Sequence, residues 1–141
     1  MLNIVCPHCL QINRVPVREH YNKANCGNCK SSLLDTIPKD VDDFAFWRHI
    51  QGNDIPVVVD FWAQWCGPCR MMAPAFKEAA VQFQMKARFL KVNTEENQTT
   101  AAQFAIRGIP TIIIFKDTKE VDRVSGALPA HQILQLVNKY I

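Results

Sequence analysis

Long apolar runs are missing from the 141-residue chain: no stretch approaches the roughly 18 consecutive apolar residues that a membrane-spanning helix needs. The opening Met1-Leu2-Asn3-Ile4-Val5-Cys6 has no basic segment leading into a long apolar one. A soluble, unexported protein of the cytoplasm, without a membrane partner, is therefore expected. Charge is sparing too. The 16 Lys and Arg against 13 Asp and Glu leave +3 with no block of like sign, too little by itself to imply a nucleic-acid partner. There is no internal repeat and no low-complexity segment. Hydrophobic residues at 48% and charged ones at 21% suit one medium domain plus a small one, with room for a sizeable core.

Six cysteines are present, and without an export signal they do not read as a secreted disulfide framework. They form three C-x-x-C pairs: Cys6/Cys9, Cys26/Cys29 and Cys66/Cys69. The first two are 16 residues apart, a C-x2-C-x16-C-x2-C spacing that reads as a tetrahedral zinc site. Residues 1–36 are accordingly expected to be a small zinc-binding module. Cys6-Pro7-His8-Cys9 and Cys26-Gly27-Asn28-Cys29 would be its two knuckles, with Pro and Gly supplying the unusual backbone angles. Leu10, Ile12, Val15 and Val17 between them give a strand-like but poorly buried pattern. A segment this short falls below the roughly 40 residues that hold a core unaided, so it is expected to unfold without metal. The competing reading is four free or redox-active thiols in a loop. Four thiolates on one zinc carry −2 and lower the formal charge to about +1. Arg14, Arg18, Lys23 and Lys30 stand against Glu19 and Asp35 with Tyr21 as the one aromatic, so nucleic-acid binding is not expected. His8 and His20 read as exposed histidines, since four cysteines already complete the shell.

The pattern changes at Asp35-Thr36-Ile37-Pro38-Lys39, a short linker, and residues 37–141 form the second expected domain. Asp40 is predicted to cap a helix from Val41 that ends at Gly52-Asn53, with Phe44, Trp47 and Ile50 facing a core. Strands follow at 55–63, 88–92, 111–115 and 120–124, the last an antiparallel edge. Helices are predicted at 66–83, kinked at Pro74, at 98–104, and after Leu128 with Pro129 in the first turn. A sheet packed between helices results.

The third cysteine pair closes the run Val57-Val58-Val59-Asp60-Phe61-Trp62-Ala63-Gln64-Trp65-Cys66-Gly67-Pro68-Cys69. Cys66 falls in the first turn of the predicted helix, where free N–H groups and the macrodipole favour a thiolate. Cys69, one turn on, can attack the mixed disulfide that Cys66 forms with a substrate. Gly67-Pro68 fixes the turn and keeps the approach open. Asp60, a carboxylate in an apolar strand, should have a raised pKa suited to exchanging protons with the dithiol, particularly Cys69. Its bland alternative is an Asp that bonds a backbone N–H.

Residues 37–141 resemble the thioredoxin family through Val59 to Cys69, Arg107-Gly108-Ile109-Pro110-Thr111 and Gly126-Ala127. With the cysteine module in front, the chain is similar to that family's bacterial zinc-containing branch, thioredoxin 2. The resemblance implies an α/β thioredoxin fold, a central mixed sheet flanked by helices, with a zinc-ribbon-like N-terminal domain. It makes Pro110 the family's cis-proline, which leaves the Ile109 backbone free to pair with an extended substrate segment, and it places Trp65, Gly67, Pro68, Gly108, Ile109, Gly126 and Ala127 on the docking surface. Lys91 aligns with a lysine near the buried Asp60, although by itself it reads as a strand-end surface residue. The implied function is a monomeric protein-disulfide reductase for disulfide-containing clients. It binds one structural zinc and no organic cofactor, and it is recharged from NADPH by thioredoxin reductase. The alternative is a client-binding or redox-sensitive chaperone in which the thioredoxin domain is scaffold; the intact Cys-Gly-Pro-Cys argues against it, and Gly-Pro with the lack of export argues against an oxidase or isomerase. Three departures from the family pattern stand out: Lys116-Asp117-Thr118-Lys119 lacks the usual hairpin glycine, Glu95 replaces Asp, and Gln98-Thr99 replaces a common Pro-Gly.

Overall fold

The computed structural model describes residues 1–141. Strands β1 (Leu2–Val5) and β2 (Ile12–Val15) pair antiparallel in a small sheet. The larger sheet has the order β3 (Lys39–Asp40), β5 (Arg88–Asn93), β4 (Val57–Trp62), β6 (Thr111–Lys116), β7 (Lys119–Ser125). Its first three strands are parallel, and β6 and β7 run antiparallel. Helices α1 (Asp43–Gly52) and α3 (Gln98–Gln103) cover one face, and α2 (Gly67–Val81) with α4 (Ala130–Asn138) cover the other. The unbroken apolar run of β4 follows from this sandwiching. Val57, Val59 and Phe61 pack with Phe46 of α1, while Val58 packs with Met72 and Phe76 of α2. Alternation then puts Asp60 on the α2 face.

Helix α1 begins later than the sequence predicts. Val41 N–H still bonds to the Lys91 carbonyl at 3.0 Å, so the chain is paired with β5 through residue 41. Asp42 is the first side chain free to cap, and it accepts from the Ala45 N–H at 2.8 Å. Asp40 sits instead in the edge strand β3. The buried stripe shifts with the start: Phe46, His49 and Ile50 face inward, and Phe44 is 73% exposed. Phe46 is preferred because its ring meets Phe61, Phe104 and Phe115 edge-on, with centroids 5.5 to 6.3 Å away.

The β6–β7 hairpin keeps a tight turn without glycine: Asp117 and Thr118 both occupy the left-handed region, at φ 52° and 67°. That region suits Gly or Asn and strains a β-branched residue. Thr118→Gly is expected to raise stability by about 0.5–1 kcal/mol, the relief of strain exceeding the extra freedom of the unfolded glycine. A urea denaturation midpoint shift checks it; an unchanged or lower midpoint would show that the turn carries no strain.

Residues 1–36 are better buried than their sequence pattern implies. Ile4, Cys6, Val15, Tyr21, Cys26 and Leu33 form one cluster with Ile55 and Met85 of the second region. At the junction, Asp35 accepts from the Ile37 N–H at 2.9 Å and lies 3.1 Å from both His8 and Lys39. Partial burial opposes ionisation, but these partners together hold its carboxyl below the usual range.

Candidate functional site

Cys66 and Cys69 are joined in a disulfide at the start of α2, with Cα atoms 5.2 Å apart. Cys66 is the N-cap, in extended backbone, and the Cys69 N–H points at its Sγ from 3.2 Å. A sulfur thus occupies the position where a Ser or Asp oxygen usually caps a helix, so an amide and the positive end of the helix face it when it is reduced. Pro68 falls in the first turn, where its missing N–H leaves no bond unmade. Ala63, Trp62 and Ile109 back the pair, and both sulfur residues are nearly covered, Cys66 at 3% exposure.

The Ile109–Pro110 peptide is cis, and the Ile109 carbonyl lies 3.7 Å from Cys66 Sγ. Neither the N–H nor the C=O of Ile109 makes a backbone hydrogen bond. Gly67, Gly108 and Gly126 border open space in which a Cβ would meet nothing within 4 Å. Gly126 additionally holds φ +100°, a region that favours glycine, and its N–H donates to the Pro110 carbonyl at 2.8 Å. Pro68, Gly126 and Ala127 are exposed around this edge. Trp65, 65% exposed, donates its indole N–H to Glu95, which gives the Asp-to-Glu departure a role in holding the ring.

Asp60 is fully buried with both carboxylate oxygens unpartnered. Burial pushes its carboxyl up to about 7, with Lys91 opposing and Asp40 adding to the rise. The bland reading of Asp60 as a backbone acceptor therefore does not fit. Asp60 is in register with Lys91 across β4 and β5, beneath the helix that begins with the dithiol. Lys91 makes no ion pair with it and instead lies 4.4 Å over the Trp62 ring.

The other four cysteines form a second centre. Their Sγ atoms all lie within 4.8 Å of one another, with Cys6–Cys29 and Cys9–Cys26 at 3.6 Å. A tetrahedron of sulfurs about 2.3 Å from zinc has edges of about 3.8 Å, so the donor set fits that ion. The two knuckles share one geometry: the Leu10 N–H bonds to the Cys6 carbonyl and the Lys30 N–H to the Cys26 carbonyl, each at 3.0 Å. Leu10 and Lys30 carry the left-handed angles, φ 70° and 68°, in place of the expected Pro7 and Gly27. The reversal falls after the second cysteine of each pair because that is where the chain turns back. N–H groups of His8 and Cys9 point at Cys6 Sγ from 3.4 and 3.5 Å, and that of Asn28 at Cys26 Sγ from 3.4 Å. His8 and His20 are exposed and outside the cluster.

Two residues near these centres went unmarked in the sequence. Met71 is 79% exposed two positions after Cys69, off the buried stripe of α2, a large apolar side chain in open solvent. Arg88, buried at the head of β5, lies between the two regions. The available signal was a cation directly before the apolar pair Phe89-Leu90 at the start of the strand.

Residues 37–139 match the family model described as Thioredoxin, and residues 5–31 match that described as Thioredoxin 2, N-terminal. Thioredoxin C-3 of Corynebacterium nephridii is 40% identical over 138 residues, covering 98% of this chain and 94% of its own length. Thioredoxin 1 of a Nostoc species is 48% identical over 101 residues, 72% of this chain and 94% of that one. The crystal structure of chloroplastic thioredoxin z superposes with a TM-score of 0.68 at 28% identity, covering 74% of this chain and 94% of its own. No helix is long and apolar enough to cross a membrane.

Proposed function

The chain belongs to the thioredoxin family and is a thiol-disulfide oxidoreductase, and from that premise we propose that it reduces disulfides in client proteins and is itself recharged by an NADPH-dependent thioredoxin reductase. The observation that carries this reading is Cys66 at the N-cap of α2, beside an Ile109 whose N–H and C=O make no backbone hydrogen bond. A client segment containing a disulfide lies along Ile109 as an added strand, with its side chains against Trp65, Gly67, Pro68, Gly126 and Ala127. The Cys66 thiolate attacks one client sulfur, the other leaves and takes a proton, and a mixed disulfide forms. Asp60 then accepts the Cys69 proton. The Cys69 thiolate attacks Cys66 Sγ, the second client thiolate leaves, and two electrons have passed from protein to client. Lys91 tunes Asp60 through space rather than touching the reacting atoms.

Residues 1–36 supply Cys6, Cys9, Cys26 and Cys29 as ligands for one structural zinc, and residues 37–141 do the chemistry without an organic cofactor. A compartment that keeps thiols reduced, such as the cytoplasm, suits both centres. Chelation is expected to open residues 1–36 to protease while 37–141 stays folded, since the large sheet has its own two-sided core. Proteolysis with mass mapping checks this; a module equally resistant with and without metal would contradict it.

The functional test couples NADPH oxidation to insulin reduction through a thioredoxin reductase. Turnover dependent on this protein, the reductase and the disulfide substrate together is expected. NADPH left unconsumed, with chemically reduced protein still active on insulin, would remove the reductase from the scheme. A client-binding role in place of the redox one would appear as client retention that Cys66 variants leave unchanged.

A further inference from the structure

Residues 1–36 are seated on the C-terminal end of α1 and the head of β5. The Val5 N–H donates to Asn53 Oδ1 at 2.8 Å, and the Arg48 Nε–H donates to the Leu10 carbonyl at 2.9 Å. A Cβ on Gly52 would lie 2.7 Å from Val5 Cγ2, so the surfaces are in close contact. Arg88 lies inside this contact, 4% exposed. Its Nη1 donates to the Asp35 carbonyl at 3.0 Å and its Nη2 to the Leu33 carbonyl at 3.4 Å, both on the cysteine module. Its Nε–H has no partner, and no carboxylate forms an ion pair with it. The Asp35 carboxylate is committed to His8 and Lys39. The other titratable neighbour, His49, is buried and kept neutral, its pKa drawn down to about 3 by burial and by Arg88.

A buried guanidinium held by neutral carbonyls alone is costly and calls for an anion nearby. Burial draws the Arg88 guanidinium down to about 10, with Asp35 opposing. The cysteine centre reaches the same contact: Leu33, whose carbonyl Arg88 holds, is packed in one buried cluster with Cys6, Cys26, Ile55 and Met85. Once four thiolates hold a divalent ion, the centre to which Cys6 belongs carries −2.

We propose that Arg88 is the counter-cation of the metal–thiolate centre, so that metal binding and the docking of residues 1–36 onto the redox domain reinforce each other. The module then comes with a −2 charge that the docked arrangement offsets by one unit, and the coupling runs equally in both directions. This rests on the reading of Cys6, Cys9, Cys26 and Cys29 as a metal site.

The test is zinc affinity of the reduced full-length protein, measured by competition with a chromogenic chelator. Wild-type protein that bound no zinc would refute the metal site itself, a failure distinct from any ratio between variants. R88Q, which can still donate to a carbonyl but carries no charge, is expected to lose about tenfold or more in affinity, and R88M, which carries neither a charge nor a donor, is expected to lose at least as much. R88K, charged but unable to span both carbonyls in the same way, should stay within about threefold of wild type. Neutral variants that bind as tightly as wild type, or a lysine variant that loses as much as the glutamine one, would overturn the proposal. R88K remains decisive if the neutral variants do not accumulate, because a purely clamping role requires it to lose about tenfold, and a charge role requires it not to.

Discussion

Cys66→Ser is expected to lower disulfide reduction to the level of a protein-free blank. A serine hydroxyl in the same N-cap position would make a good cap and no nucleophile, because its proton is held far more tightly than a thiol's at neutral pH. Cys69 is expected not to take over, because it lies inside the first turn of α2, away from the N-cap position, and is 2% exposed. Cys69→Ser should fail differently. Cys66 can still attack, but nothing resolves the product, so the protein accumulates as a covalent adduct with its client. Intact mass spectrometry on a single turnover distinguishes the two, with unmodified protein for Cys66→Ser and protein plus client, released by added thiol, for Cys69→Ser. Both measurements are to be made with the other four cysteines metal-loaded. Activity surviving in Cys66→Ser would move the chemistry to those four sulfurs and end the reading of the dithiol as the redox centre.

The dithiol, the four-cysteine cluster and the burial of Asp60 are all legible in the sequence, because each depends on spacing over a few residues or on an unbroken apolar run. Contacts between distant segments are not. Nothing near Phe44 or Phe46 tells which ring faces inward; Phe61, Phe104 and Phe115 decide it from three other elements. The start of α1 likewise depends on Lys91, fifty residues on, whose carbonyl holds Val41 in the sheet. In the knuckles, glycine and proline point to the wrong positions, since the left-handed residues are Leu10 and Lys30 and the repeated backbone bonds fix them there. Arg88 illustrates the same limit at the interface between the two regions: its partners are carbonyls of Leu33 and Asp35, and a carbonyl carries no mark in the sequence.

Asp60→Asn is expected to have opposite effects on stability and turnover, and both follow from one buried carboxyl. With a folded-state pKa of about 7 against 3.8, the native protein holds the Asp60 proton more tightly than the unfolded chain does. The stability associated with that proton is fully present below about pH 4, where both states are protonated, and is lost as pH rises through about 7. The shift corresponds to about 4 kcal/mol at and above pH 8, at about 1.4 kcal/mol per unit. Asparagine approximates the protonated form at every pH. The variant should therefore unfold at markedly higher urea concentration than wild type at pH 8, with the gap closing toward pH 4. Denaturation of the disulfide form at pH 4, 6 and 8 keeps the dithiol's own titration out of the result. Turnover should move the other way: without an acceptor for the Cys69 proton, release of the mixed disulfide is expected to slow by ten- to a hundredfold, toward the low end of general-base contributions because water can still carry the proton. The inflection near pH 7 in that rate should vanish. A stability gap that does not change with pH would mean that Asp60 is not held protonated by its surroundings, and a release rate with its inflection intact would give the proton step to another group.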